Sequence, residues 1–322
     1  MLCPNCNSSL IDLSGENICV RCGYSSNRKN KQEALPEITL DKAKQLQINR
    51  LSAQKMYSAL QKKFDGKDSF GMSYLLNRGL EPKTIARFGL GWGDAYLPYS
   101  LKAKGFSEEE MLLSGVVGKS QKTGKLYGKF FGRVIFPIYD LNNAVIGFGG
   151  RIIEPVENAP KYINSRESDV FKKRENLFAL NFAKDSKEKY FILCEGYMDV
   201  VSMHQAGFTN AVASLGTALT VEQAKLLKSF KNTVYIAYDD DEAGMKATTR
   251  AISILQGQGI DVKVLSFSPY KDPDELLKAC GKEEFLKRLR QSCSAERFLY
   301  QNASPEERCE LLVKLLTAKQ DK

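Results

Sequence analysis

The chain has 322 residues, 43% of them apolar, 26% charged and 10% aromatic. That is ordinary globular composition, and enough chain for two or three domains, because single cores rarely grow beyond about 250–300 residues. No apolar run reaches about 18 residues, which argues against a membrane-spanning helix, and the start, Met1-Leu2-Cys3-Pro4, does not read as a signal peptide. A net charge of +9 points towards a polyanionic partner. The lone histidine, His204, removes a histidine-based general base or triad and reads as a surface or partly packed helix residue.

Residues 1–26 hold Cys3-x-x-Cys6 and, twelve residues later, Cys19-x-x-Cys22. Two such knuckles supply four thiolates for tetrahedral Zn²⁺, close to the spacing of a zinc ribbon. A module this small cannot bury enough core to fold alone, so metal binding would supply its stability. Paired thiols of this kind also argue for a reducing compartment. The remaining cysteines, Cys194, Cys280, Cys293 and Cys309, are scattered and read as inert thiols.

The run from Ser25 to Glu37 is polar, basic and without period, and residues 27–37 are assigned as a linker. Apolar residues at helical spacing follow over residues 40–64. Residues 73–91 read as two short helices divided at Gly79, with Pro82 opening the second. Ser107 caps a further helix.

Residues 119–174 carry eleven Lys or Arg against five Asp or Glu, so most of the excess positive charge lies here. Two apolar runs, 132–140 and 144–151, read as a β-hairpin turning at Asn142-Asn143. Glycines 147, 149 and 150 let another backbone or a phosphate approach closely.

Residues 189–281 alternate strand and helix, which gives a parallel sheet flanked by helices. The strands are expected at 190–194, 211–215, 234–238 and 262–267, and the helices at 197–205, 220–227 and 241–256. Thr220 and Gln223 have the spacing of a capping box. Residues 282–322 read as a small helical subdomain.

Acidic residues stand where three of these strands end. They are Glu195 in Glu195-Gly196-Tyr197-Met198-Asp199, Asp239 and Asp241 in Tyr238-Asp239-Asp240-Asp241-Glu242-Ala243-Gly244, and Asp272 and Asp274 in Asp272-Pro273-Asp274. Ligands of open α/β sheets bind at the carboxyl ends of the strands. Hard divalent cations take oxygen ligands, so Glu195, Asp239, Asp241, Asp272 and Asp274 are the candidate Mg²⁺ or Mn²⁺ ligands. Each acid alone could merely cap a helix; three sets in one sheet are harder to explain that way.

These motifs resemble the three motifs of a Toprim domain, specifically that of bacterial DnaG-type primases. Tyr74-Leu75-Leu76-Asn77-Arg78-Gly79-Leu80, then Ile85-Ala86-Arg87-Phe88-Gly89-Leu90-Gly91, and the whole 119–174 run are similar to the same family's core. The resemblance implies an α/β fold with a basic, strand-rich N-terminal subdomain over residues 38–188, a Toprim domain over 189–281 and the helical tail after it. It implies DNA-templated synthesis of RNA primers by two-metal nucleotidyl transfer, with single-stranded DNA and nucleoside triphosphates as partners and a bacterial cytoplasmic location. Glu195, Asp239 and Asp241 fall on the catalytic positions. Arg133, Arg151, Lys161, Asn164 and Lys173 fall on the positions that grip nucleic acid or nucleotide. Family members usually continue into a helicase-binding domain; this chain ends before one, so any helicase contact is expected through another surface.

Two departures stand out: Asp240 occupies a position usually held by Gly, adding a third negative charge, and the zinc module has four Cys where the family has three Cys and one His. They suggest a divergent or mobile-element primase. The alternatives are a Toprim nuclease and a non-catalytic zinc-plus-Toprim recombination adaptor. The basic segment argues against the first, and the full carboxylate set against the second.

Overall fold

The computed structural model describes residues 11–13, 16–18, 40–154, 156, 159–306 and 308. The chain divides into two units, residues 1–39 and 40–322. In the first, β1 (Ile11–Leu13) and β2 (Glu16–Ile18) pair antiparallel, with Ile11 opposite Ile18. The four expected zinc ligands, Cys3, Cys6, Cys19 and Cys22, lie outside the described residues.

The second unit opens with α1 (Lys42–Gln61), capped by the Asp41 carboxylate on the Lys44 N–H. Ile48, Ser52, Met56 and Leu60 are buried at four-residue intervals, the single inward stripe that a 3.6-residue period demands. Then come β3 (Lys63–Phe64), β4 (Lys67–Asp68), α2 (Phe70–Asn77), α3 (Pro82–Phe88), β5 (Gly91–Trp92), α4 (Leu97–Lys102) and α5 (Glu108–Ser114). Ser107 and Glu110 close a reciprocal capping box on α5.

Next are β6 (Val117–Lys119), β7 (Leu126–Gly128), β8 (Arg133–Tyr139), β9 (Val145–Ile152) and β10 (Tyr162–Asn164). The sheet order β10-β9-β8-β5 is antiparallel throughout. The β8–β9 hairpin turns where the sequence places it: Asn143 takes φ +65°, and one Asp140 carboxylate oxygen accepts from the N–H groups of Asn142 and Ala144. Both strands are almost wholly buried, because α1 covers one face and the second sheet's helices reach the other.

The chain continues through α6 (Leu180–Ala183), β11 (Tyr190–Cys194), α7 (Tyr197–Gln205), β12 (Ala211–Ala213), α8 (Val221–Lys228), β13 (Thr233–Ala237), α9 (Glu242–Gly257), β14 (Asp261–Val264), α10 (Pro273–Arg290), β15 (Cys293–Ser294) and α11 (Ala295–Asn302). Strand order is β12-β11-β13-β14-β15. The first four are parallel, as the alternation requires, and two-residue β15 adds antiparallel at the edge. The predicted helical tail opens with the end of α10, and the short β15 interrupts it before α11. Gly281, at φ +74°, interrupts α10.

One sheet face packs against Val200, Val201, Phe208, Leu276 and Phe285, the other against Leu219, Leu227, Ile252 and Leu255. The first core runs on without a break into the antiparallel sheet through Phe136, Phe178 and Tyr197. His204 lies in this core, 4% exposed, its ring edge-on to Phe88 at 5.1 Å, with Nε2 at 2.9 Å from the Ala211 carbonyl. It is a core residue rather than a surface one. Among the described residues no helix is long and apolar enough to cross a membrane.

Candidate active site

Strands β11 and β13 are in register, Cys194 opposite Ala237, so the next residues, Glu195 and Tyr238-Asp239, leave the sheet side by side. A Glu195 carboxylate oxygen accepts from the Asp239 N–H at 3.2 Å. Asp241 caps α9 by accepting from the Gly244 N–H at 2.9 Å. Gly244 is required here: a Cβ on it would lie 2.0 Å from the Asp239 carbonyl oxygen and 3.0 Å from Glu195 Oε1. The first turn of α9 thus presses directly on the two strand ends.

The electrostatics report crowded negative charge. Burial, then Asp239, pushes the Glu195 carboxyl up; burial also raises Asp239. Asp241 is held below its ordinary value, first by the Gly244 N–H. Asp199, quoted in the Glu195 motif but not singled out as a site residue, is pushed up to about 8 by burial and by Asp272, Asp239 and Asp274. Its position in the first turn of α7, where it accepts from the Gly196 N–H at 3.1 Å, folds it back under the strand end. A four-residue spacing from Glu195 across a strand-to-helix turn is the signal that could have found it.

The third acidic pair divides. Asp272 caps α10, accepting from the Glu275 N–H at 2.7 Å. Asp274 is 2% exposed and turned the other way. Its carboxylate accepts from Ser202 Oγ at 2.5 Å, Arg78 at 2.5 Å and Lys278 at 2.6 Å. Both its oxygens are engaged in joining α2, α7 and α10.

Asp240 is exposed, but its carboxylate is not left without partners. One of its oxygens accepts from Ser266 Oγ at 2.9 Å, Phe267 N–H at 2.6 Å and Ser268 N–H at 2.8 Å. A cation of the chain itself reaches the other acids: Lys271 Nζ lies 3.2 Å from Asp239 and 3.4 Å from Asp241. Among the described residues no three acidic, imidazole or thiol groups converge as a ready metal centre, because Glu195 turns to the Asp239 backbone and Lys271 sits with the aspartates. The donor set is nevertheless the hard-oxygen chemistry that Mg²⁺ or Mn²⁺ takes. Beside Glu195 a cavity of about 260 Å³ is lined by Gly216, Thr217, Tyr238 and Arg250.

The basic residues singled out from the sequence have unlike roles. Arg133 is 7% exposed, and its guanidinium donates to the carbonyls of Gly150, Pro160 and Lys161; it is a clamp on the loop after β9. Asn164 bridges the two sheets, donating to the Leu215 carbonyl at 2.8 Å and accepting from Tyr197 Oη at 2.6 Å. Arg151 lies over the rings of Tyr74 and Tyr162. Lys161 is exposed. Lys173 stands near Lys129 and Arg166, and this mutual repulsion adds to burial in lowering the Lys129 pKa.

A parallel sheet with acids at its strand ends, fused to a basic antiparallel sheet, defines a Toprim-bearing catalytic core. Residues 192–277 match the Toprim-like family, and residues 56–184 match the N-terminal domain of the DNA primase catalytic core. The DNA primase of Clostridium acetobutylicum is 45% identical over 231 residues, 70% of this chain and 38% of that one. That of Aquifex aeolicus is 41% identical over 271 residues, 80% of this chain and 53% of that one. The crystal structure of the Aquifex aeolicus primase zinc-binding and RNA polymerase domains superposes with TM-score 0.75 at 37% identity, covering 83% of this chain and 66% of that one. A DnaG primase catalytic domain bound to single-stranded DNA gives 0.73 at 31%, covering 84% and 90%. The chain belongs to the DnaG-type DNA primase family. It spans about half or less of the length of these curated relatives.

Proposed function

We propose that this chain makes short RNA primers on single-stranded DNA by nucleotidyl transfer at the acidic crevice. The observation that carries the reading is that Glu195, Asp239 and Asp241 follow the ends of two adjacent parallel strands, in a chain of this family. Mg²⁺ or Mn²⁺, when bound, would supply Lewis acidity towards the attacking 3′-hydroxyl and the leaving pyrophosphate.

Glu195, Asp239 and Asp241 would hold the cations, with Asp272 and Asp199 close enough in charge to contribute. Asp274, whose oxygens have three donors, would act from behind by fixing α10. Glu195 is the candidate general base through a bound water. The cavity beside it would receive part of a nucleotide. Lys161, Lys173 and Arg151 would neutralise template or triphosphate, while Arg133 and Asn164 would hold the scaffold that presents them. Binding of single-stranded DNA is supported by the relative solved with it. Zn²⁺ on Cys3, Cys6, Cys19 and Cys22 would make the ribbon a template-holding module.

The test is synthesis on unprimed single-stranded DNA with labelled nucleoside triphosphates and Mg²⁺ or Mn²⁺. Short products from the parent chain, lost by at least 100-fold in Glu195→Gln, are expected. No product from either sinks the reading, and template degradation that Glu195→Gln abolishes would replace it with a nuclease.

A further inference from the structure

The short segment between β14 and α10 is held unusually firmly for a loop. Its near end is gathered by the Asp240 carboxylate, which takes the N–H groups of Phe267 and Ser268 and the Ser266 hydroxyl. Its far end is fixed at Lys271 through both backbone groups. The Lys271 N–H donates to Glu275 at 2.6 Å, and the Lys271 carbonyl accepts from the Asp240 N–H at 2.8 Å. The root of the Lys271 side chain is therefore set by the very residue that lies between Asp239 and Asp241. From there its ammonium reaches both carboxylates, at 3.2 and 3.4 Å. The side chain remains 57% exposed, so nothing packs it in place and it is free to swing out.

We propose that Lys271 is a tethered cation of the acidic crevice. With no divalent ion present, its ammonium sits with Asp239 and Asp241 and relieves their repulsion. A divalent ion must displace it, and Lys271 thereby sets the concentration at which the crevice fills. Asp240 is the positioning residue, since it pins the loop that carries Lys271. The inference rests on the metal-binding reading of Glu195, Asp239 and Asp241. It assigns purposes to two residues which that reading leaves idle.

Mn²⁺ binding to the full zinc-loaded chain, followed by electron paramagnetic resonance of the free ion, tests it without any turnover. The parent, Lys271→Met, Lys271→Arg and Glu195→Gln are titrated side by side. Lys271→Met should bind Mn²⁺ tighter by about fivefold, the order expected when a solvent-screened ion pair no longer has to be broken. Lys271→Arg, which keeps the charge, should stay within about twofold of the parent. Metal-free Lys271→Met should melt earlier than the parent, and added Mn²⁺ should close the gap. Unchanged or weaker Mn²⁺ binding in Lys271→Met overturns the proposal and leaves the metal site standing. If neither the parent nor Glu195→Gln takes up crevice Mn²⁺, the metal reading and this inference fall together.

Discussion

Asp272 and Asp274 differ by two places in sequence and by about 200° around a helix of 3.6 residues per turn. One carboxylate caps α10 at its mouth; the other enters the packing between α2, α7 and α10. A strand, an acid, a glycine and a helical pattern are all legible in a sequence, so Glu195, Asp239 and Asp241 could be found from residue types alone. The direction of a side chain at a helix start is not, because it depends on which neighbour approaches from another element. Arg78, 196 residues away, fixes that of Asp274. Arg133 is the same lesson for a basic residue, since a guanidinium reads as a phosphate contact until three carbonyls are found around it. Asp274→Ala should therefore act on stability, leaving two cations over a buried pocket. A loss of about 2–4 kcal/mol in metal-free urea unfolding is expected, towards the low end because Arg78 and Lys278 keep some water. A variant as stable as the parent would show instead that Asp274 is spent on the crevice.

At the scale of elements, α7 carries both the site and a pH-sensitive core contact. His204 is buried with its pKa lowered from 6.5 to about 4, first by desolvation, and Nδ1 has no partner. The neutral ring is thus the folded form. Above pH 6.5 the ring is neutral in both folded and unfolded chains and costs nothing. As pH falls from 6.5 towards 4 the unfolded chain takes up a proton that the folded one refuses, so stability is lost over that window. The loss reaches about 3 kcal/mol at most. Urea midpoints of the parent and His204→Met between pH 7.5 and 4.5 check this: the variant should lose less stability with acid, and parallel curves would refute it. The loop clasped by Asp240 makes a second prediction for an element. Asp240→Gly removes an acceptor from two amides. Hydrogen exchange at Phe267 and Ser268 should quicken by roughly 10-fold or more, the order of one net hydrogen bond to a charged group. Exchange no faster than in the parent would mean that other contacts hold the loop.

Across the whole molecule the charge of +9 and the concentration of Lys and Arg in residues 119–174 suit the proposed polyanionic partner, but only part of that charge is free to meet it. The sequence counts every cation alike. The fold withdraws Arg133 into a clamp and leaves Lys161 in solvent, while Arg166 and Lys173 bear on Lys129. Like charges kept together are stabilised by an anion, and the backbone of single-stranded DNA would supply a row of them. Each phosphate neutralised should add about 0.7 to the slope of log affinity against log salt. Lys161→Ala with Lys173→Ala should then flatten that slope by about 1.4 on a single-stranded oligonucleotide, with little change in melting temperature. Arg133→Met should do the reverse, lowering stability while sparing the slope of whatever remains folded. Fluorescence anisotropy from 50 to 300 mM salt separates the two cases. If the double variant keeps the parent's slope, the strand does not run past Lys161 and Lys173. Exposed charge would then be a poor guide to where a strand crosses this basic sheet.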